Sequence, residues 1–142
     1  MDTNSAYYSG NLFYTVNALH RQISALAEAA FLDLGLTISD AYLILCVNEK
    51  HEIQPMEISE KILLAPSTIT RMVEKLEKRS IVVRRQEGKY SFITPTTKGK
   101  DLYIAIQQKW DEINANIQSK LTLPEINTLI EITNAAADKL RK

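Results

Sequence analysis

The sequence has little cysteine, glycine or proline and no long apolar run, and several of these shortages exclude a class of protein. Cys46 is the only cysteine, so no disulfide can form within the chain, which is typical of a reducing compartment. The N-terminal stretch has neither a basic region nor an apolar core, so we expect no signal peptide. No apolar run approaches the roughly 20 residues of a membrane span. We therefore expect a cytoplasmic protein without a membrane partner.

Residue clusters that carry catalysis or bind metals are missing as well. The two histidines, His20 and His51, stand far apart, and neither has Cys, His or carboxylate neighbours at metal-ligand spacing. The sequence has no glycine-rich phosphate loop, no nucleophile elbow and no Ser/His/Asp constellation. We therefore predict no metal, no cofactor and no enzymatic activity.

The formal net charge is zero, but the charges are unevenly distributed along the 142 residues. Residues 55–100 hold ten Lys or Arg residues against five Asp or Glu residues, so the rest of the chain is acidic on balance. A basic middle between acidic flanks is typical of a nucleic-acid-binding module between arms that do not bind. The length fits one domain with an oligomerisation extension.

Long amphipathic helices are predicted at both ends of the chain. Over residues 11–34 apolar side chains recur at alternating steps of 4 and 3, which predicts a helix with a heptad-like stripe that Gly35 ends. A second long helix is predicted over residues 97–119. Thr122 and Glu125 then fit the capping box of a last helix.

The middle of the chain predicts three shorter helices and a hairpin. Thr37 suits the N-cap of a helix that runs to about residue 50, and residues 55–64 and 66–79 form two short helices joined by a tight turn. The segments IVVRRQ and KYSFIT predict strands around a turn at Glu87 and Gly88. The expected fold class is mainly α (α+β), and the two short helices suit a helix-turn-helix.

The helix predicted over residues 66–79 has one apolar and one polar face. Hydroxyl groups at a helix N-terminus bind phosphate, and an arginine one turn later can reach guanine O6 and N7 in the major groove. Lysines further along are placed for backbone phosphates. A solvated amphipathic helix beside an ordinary hairpin is the open alternative for this helix taken alone. The polar face carries Ser67, Thr68, Arg71, Lys75 and Lys78.

The segments LTISDAYLIL, MEISEKILLAPSTITRMVEKLEKRSIVVRR and TTKG resemble the MarR family of winged-helix regulators, and the resemblance covers nearly the whole chain. It implies a winged helix-turn-helix with long N- and C-terminal dimerisation helices. It also implies a homodimer that binds an inverted-repeat operator in double-stranded DNA. The implied parts are an N-terminal dimerisation helix (1–34), a DNA-binding lobe (35–100) and C-terminal dimerisation helices (101–142).

The predicted DNA-binding residues belong to the recognition helix and the wing. The wing departs from the family's Asp-x-Arg pattern, since it holds only Lys89 at its tip. Ser80 replaces a glycine that is common in the family, and Pro95 replaces an apolar residue. The full predicted set is Pro66, Ser67, Thr68, Thr70, Arg71, Lys75, Lys78, Arg84, Arg85 and Lys89.

The resemblance also implies a small aromatic ligand between the dimer helices and the lobe. Tyr14, His20, Tyr42 and Trp110 are the candidate pocket residues, although each taken singly is more typical of a core aromatic or a surface histidine. Cys46 stands between apolar neighbours and is predicted to be a buried structural thiol rather than a redox sensor.

These features predict a sequence-specific DNA-binding transcriptional regulator, a repressor that a small molecule releases. The alternative is a winged-helix dimer that acts as a protein-interaction module with only weak DNA binding. The altered wing and the zero net charge keep this alternative open.

Overall fold

The computed structural model describes residues 5–142, which form six helices and one antiparallel hairpin. The mainly α winged helix-turn-helix with long terminal helices is confirmed. The first four residues of the predicted 1–34 segment, which also begin the stretch considered for a signal peptide, lie outside the described residues. In chain order the elements are α1 (Leu12–Leu32), α2 (Ile38–Lys50), α3 (Pro55–Ile62), α4 (Pro66–Lys78), β1 (Val82–Glu87), β2 (Tyr90–Pro95), α5 (Thr97–Gln118) and α6 (Leu123–Leu140).

Side-chain caps fix where two of the helices begin, as the sequence predicts. The Thr37 hydroxyl accepts a hydrogen bond from the Asp40 N–H at 3.0 Å, and the Asp40 carboxylate accepts one from the Thr37 N–H at 3.1 Å. Thr122 and Glu125 form the same capping box at the start of α6. These bonds satisfy N–H groups that the first turn of a helix leaves free.

The hairpin strands begin one residue later than predicted. Its two-residue turn is Gly88 and Lys89, because Gly88 adopts φ +58°, a conformation that a tight hairpin turn needs at its first central position. Pro95, which directly follows the predicted second strand, is the last residue of β2 and lies opposite Val82. At a strand end its missing N–H removes no interior ladder bond.

The apolar core of the winged-helix lobe lies between α2, α3, α4 and the hairpin, and it continues to Phe31 of α1 and Ile106 of α5. An isolated bridge between Ile53 and Ile93 joins the loop after α2 to strand β2. This packing buries one face of α4 and leaves the opposite face on the surface. The fully buried side chains of the lobe include Leu43, Ile44, Ile58, Ile69, Leu76, Ile81 and Ile93.

Helices α1, α5 and α6 are packed less completely. Ala27 and Phe31 of α1 and Ile106 and Ile113 of α5 are buried, whereas α6 has no buried residue. A groove of about 1050 Å³ lies between these three helices. No helix within residues 5–142 has the length and apolarity to cross a membrane. The exposed large apolar side chains of α1 and α6 are Leu12, Phe13, Tyr14, Val16, Ile23, Leu32, Leu123, Leu129, Ile130, Ile132 and Leu140.

Candidate DNA-binding surface

The start of α4 is a rigid, exposed helix N-terminus. Pro66 occupies the first turn, where its missing N–H costs nothing. The Ala65 carbonyl accepts hydrogen bonds from the Thr68 N–H at 3.0 Å and the Ile69 N–H at 3.1 Å. The Thr70 hydroxyl donates to the Pro66 carbonyl at 3.1 Å. Pro66, Ser67 and Thr70 are exposed and Thr68 is half-buried, so this turn presents hydroxyl groups to the surface.

Three of the predicted DNA-binding cations project from the lobe without an ionic partner within residues 5–142. Arg71 and Lys78 lie on the exposed face of α4, and Lys89 lies at the turn of the wing. Ser67 stands one turn before Arg71, on the same face. The arrangement places a hydroxyl and a guanidinium one turn apart on the exposed face of α4.

Lys75 differs from these three because its ammonium group pairs with a carboxylate of the lobe. The Nζ atom lies 2.9 Å from both carboxylate oxygens of Asp40, near the start of α2. One turn later, Arg79 Nη1 donates to the Gly35 carbonyl at 2.9 Å. The ion pair of Lys75 with Asp40 joins α4 to α2, and the phosphate contact of Lys75 stays a prediction.

The two arginines of the wing also have acidic partners. The Arg84 N–H donates to the Glu77 carboxylate at 3.3 Å, and the Arg84 guanidinium lies 3.9 Å from the same group. Arg85 forms ion pairs with Glu52 and Glu87. Its hydrogen bonds to Glu87 and then Glu52 raise the pKa of the guanidinium. These contacts tie the wing to α4 and to the loop after α2.

The connection from α4 to the wing is held by the start of α5. Ser80 adopts φ +61°, in the left-handed region that favours glycine. The Thr96 hydroxyl donates to the Ser80 carbonyl at 2.6 Å, and Lys98 Nζ donates to the Arg79 carbonyl at 2.9 Å. Gly99 leaves no room for a side chain, since an added Cβ would lie 2.2 Å from the Ile81 carbonyl oxygen.

The structure brings together two of the four candidate pocket residues. The rings of Tyr42 and Trp110 lie 5.6 Å apart, and Phe31 packs edge-on against Trp110 at 5.1 Å. Trp110 Nε1 is buried and has no hydrogen-bond partner within residues 5–142. Burial raises the pKa of the Tyr42 hydroxyl.

Tyr14 and His20 are not brought to this aromatic cluster within one chain. They lie in the first half of α1, about 25 Å and 16 Å from Phe31 along the helix, because an α-helix rises about 1.5 Å per residue. Tyr14 packs against Tyr8 at 5.3 Å, and His20 Nε2 lies 3.2 Å from the Ser24 hydroxyl.

Cys46 is a buried thiol, as predicted, with 5% of its surface exposed. Burial is the main cause of its raised pKa, followed by the nearby charge of Glu49. Within residues 5–142 no group of three or more His, Cys, Asp or Glu side chains is placed to hold a metal ion.

Sequence reasoning missed the acidic partners of the basic surface and the role of Phe31. Asp40 is not among the predicted site residues, yet it pairs with a lysine 35 positions away. No periodic pattern reports a contact across that separation. The end of the apolar stripe in α1 was the one signal that could have drawn attention to Phe31.

Comparisons with known proteins find similar sequences and folds among transcriptional regulators. Residues 36–88 match the model of the MarR family. The HTH-type transcriptional regulator SarZ of Staphylococcus epidermidis is 23% identical over 136 residues, which cover 92% of this chain and 89% of SarZ.

Two solved structures extend the likeness in fold. A cysteine-to-serine mutant of MarR from E. coli complexed with operator DNA has a TM-score of 0.84 at 16% identity, covering 96% of this chain and 99% of that one. CouR from Rhodococcus jostii bound to p-coumaroyl-CoA has a TM-score of 0.82 at 17% identity, covering 94% and 96%. The match over residues 36–88 runs from just before α2 to the turn of the wing, and the solved structures share the winged-helix fold over nearly the whole chain.

Proposed function

We propose that this regulator binds an inverted-repeat operator in double-stranded DNA as a homodimer, with one α4 helix in the major groove of each half-site. The observation that carries the proposal is the exposed face of α4. Ser67 and Arg71 have no ionic or side-chain partner there within residues 5–142, while the opposite face is fixed in the core. A helix held by one face and free on the other suits insertion into a groove.

The exposed residues divide into two roles. Arg71 is shaped to read guanine, since its guanidinium can donate to O6 and N7 together. Pro66, Ser67, Thr68 and Thr70 form the turn that approaches the backbone first. Lys78 and the wing residue Lys89 supply phosphate contacts. The ion pairs of Lys75, Arg84 and Arg85 within the lobe favour positioning roles for these three side chains.

The homodimer is supported by the uncovered apolar surface of α1, α5 and α6. Contiguous apolar patches of this kind mark interfaces in proteins that are otherwise well packed. We assign dimerisation to residues 1–34 and 101–142 and DNA binding to residues 35–100. The groove between the three helices has its apolar lining in Leu19, Ile23, Leu26, Ile113, Ile117, Leu121, Ile126, Leu129 and Ile130.

Repression with release by a small aromatic ligand is the finer part of the proposal. The cluster of Phe31, Tyr42 and Trp110 lies where α1, α2 and α5 meet, which is the junction between the dimer helices and the lobe. Trp110 Nε1, which has no hydrogen-bond partner within residues 5–142, offers a hydrogen bond to a ligand in apolar surroundings. CouR, which shares this fold, is bound to p-coumaroyl-CoA.

Selection of preferred duplexes from a random pool, followed by binding of two variants, tests the proposal. Arg71→Ala should cost about 1–3 kcal/mol per half-site and relax the preference at one base pair in each half. Lys78→Ala is the matched control on the same face. It should weaken the selected and a scrambled duplex alike and reduce the dependence on salt by about one phosphate contact.

The selected sites should be inverted repeats with half-sites about one turn of DNA apart. Equal loss of both affinities in Arg71→Ala, or a pool with no preferred duplex, would favour the protein-interaction module instead.

A further inference from the structure

The second half of α4 is attached to the start of α2 by two side chains. Lys75 Nζ lies 2.9 Å from both oxygens of the Asp40 carboxylate, and Arg79 Nη1 donates to the Gly35 carbonyl at 2.9 Å. We call these four residues, Gly35, Asp40, Lys75 and Arg79, the clamp. It joins the recognition helix to the turn between α1 and α2, across the edge of the buried face.

Asp40 is a rigid anchor for the clamp. Its side chain is 2% exposed, whereas that of Lys75 is 49% exposed. The same carboxylate accepts the Thr37 N–H at 3.1 Å, so the capping box of α2 fixes its orientation. Its other oxygen, Oδ1, has only the ionic contact with Lys75 and no further hydrogen-bond partner within residues 5–142. Lys75 is therefore the counter-charge that a buried carboxylate requires.

The clamp adds directional polar contacts to the apolar packing of α4 against the lobe. Ile69, Met72 and Leu76 hold α4 against the lobe through apolar contact, which depends on buried area rather than on a fixed angle. An ion pair and a hydrogen bond at one edge of that face define how far the helix is rolled about its axis. Arg71 lies one turn before Lys75, so the same roll decides where its guanidinium points.

We propose that Lys75 is a positioning residue whose ion pair with Asp40 sets the roll of α4 and so aims Arg71 at the base edge. This inference rests on the DNA-reading role proposed above. It differs from a phosphate contact in one respect that can be measured: a positioning residue affects the preference for the operator, while a phosphate contact affects every duplex and the salt dependence.

The test compares Lys75→Gln, Asp40→Asn and the double variant with Lys78→Gln as a control on the same helix. Asp40→Asn keeps an oxygen for the Thr37 N–H, so the cap of α2 is retained. Binding to the selected operator and to a scrambled duplex is measured over a range of salt concentrations. Sedimentation and thermal unfolding verify that each variant is folded and has the parent's assembly state.

Each single clamp variant should lower operator affinity about tenfold, with little change for the scrambled duplex and an unchanged salt slope. The double variant should be no worse than either single variant, because both remove the same contact. Lys75→Arg, which can keep the ion pair, should retain most of the preference. Lys78→Gln should instead lower both affinities and the salt slope by about one phosphate contact.

The positioning role is overturned if Lys75→Gln behaves like Lys78→Gln while Asp40→Asn keeps the parent affinity. Should Asp40→Asn unfold, the contrast between Lys75→Gln and Lys75→Arg decides the question alone. A parent protein that prefers no duplex refutes the proposed function, and the positioning role with it. A parent with a clear preference and a phosphate-like Lys75 refutes only the positioning role.

Discussion

The winged-helix lobe and the long helices α1, α5 and α6, which we call the arms, bury their apolar surfaces to different extents. In the lobe, each of the three helices and both strands places side chains in one core, where Leu43, Ile58 and Ile93 are fully buried. In the arms, α6 has no buried residue, and α1 buries only Ala27 and Phe31 near its C-terminal end. The apolar residues of the two regions are similar in kind, and only their coverage differs.

The contrast teaches that one chain completes the lobe but not the arms. Burial stabilises by about 25 cal/mol for each Å² of apolar surface removed from water. The lobe gains this mainly from its own elements, together with Phe31 of α1 and Ile106 of α5, whereas the exposed faces of α1 and α6 can gain it only from a further surface. A second copy of the same arms is the surface we propose, and the predictions below test the division.

The largest effect is expected from a charge placed on the uncovered face of α6. Ile130 is 54% exposed and lines the groove between the arms. Ile130→Asp should convert the dimer to a monomer at micromolar concentration, because a carboxylate at an apolar interface would be buried without a partner. Operator binding should be lost with the dimer, since two half-sites are then no longer held together. Sedimentation and duplex binding measure the two outcomes.

Thr128→Asp is the matched control, because it adds the same charge to an exposed position of α6 outside the groove lining. It should leave both properties unchanged. A parent protein that sediments as a folded monomer would refute the division between lobe and arms.

The second prediction addresses the lobe. Leu76 of α4 is fully buried, and Leu76→Ala should lower the free energy of unfolding by about 2–5 kcal/mol through lost burial and the cavity left behind. Leu63→Ala is the control, since Leu63 is 85% exposed and its truncation should cost less than about 0.5 kcal/mol. Urea unfolding measures both. Equal costs would mean that the lobe core is not where the structure places it.

The sequence predicted the elements well because their signals are local. The capping boxes at Thr37 and Thr122 and the apolar period of α4 each lie within a few residues, and each has its counterpart in the structure. The hairpin was displaced by one residue because its register depends on the conformation of Gly88, which composition alone does not fix.

The predicted surface was less complete, since its charges depend on tertiary contacts. The sequence places Lys75, Arg84 and Arg85 among the DNA-binding residues with Arg71, yet each of the three has a carboxylate partner elsewhere in the lobe. Such pairs form only after the helices and strands are packed. For the same reason the sequence named candidate pocket residues but did not predict which of them are in contact. Tyr42 and Trp110 pack together, whereas Tyr14 lies near the start of α1 and packs against Tyr8.

The third prediction concerns the cation at the tip of the wing. Lys89 is exposed and has no ionic partner within residues 5–142. Lys89→Ala should weaken the operator and a scrambled duplex by similar modest factors and reduce the salt slope by about one phosphate contact. Lys142→Ala removes the same charge beyond the end of α6 and should change neither quantity, since the arms do not touch DNA in this proposal. A large loss confined to the operator would show that Lys89 reads the minor groove directly.

The smallest effect is expected at Ser80, a residue other than glycine with a positive φ. Its φ of +61° places a side chain in the left-handed region, which costs an L-residue about 1–2 kcal/mol. Ser80→Gly should remove this strain and, after the greater freedom of glycine in the unfolded chain, raise the free energy of unfolding by up to about 1 kcal/mol. Ser80→Ala keeps the Cβ atom and should not stabilise the protein. Urea unfolding of the three proteins at the same protein concentration measures the differences in the free energy of unfolding. Ser80 joins α4 to the wing inside the lobe, so the proposed dimer should have the same dissociation constant in all three proteins. A changed dissociation constant would show that this connection also affects the dimer interface.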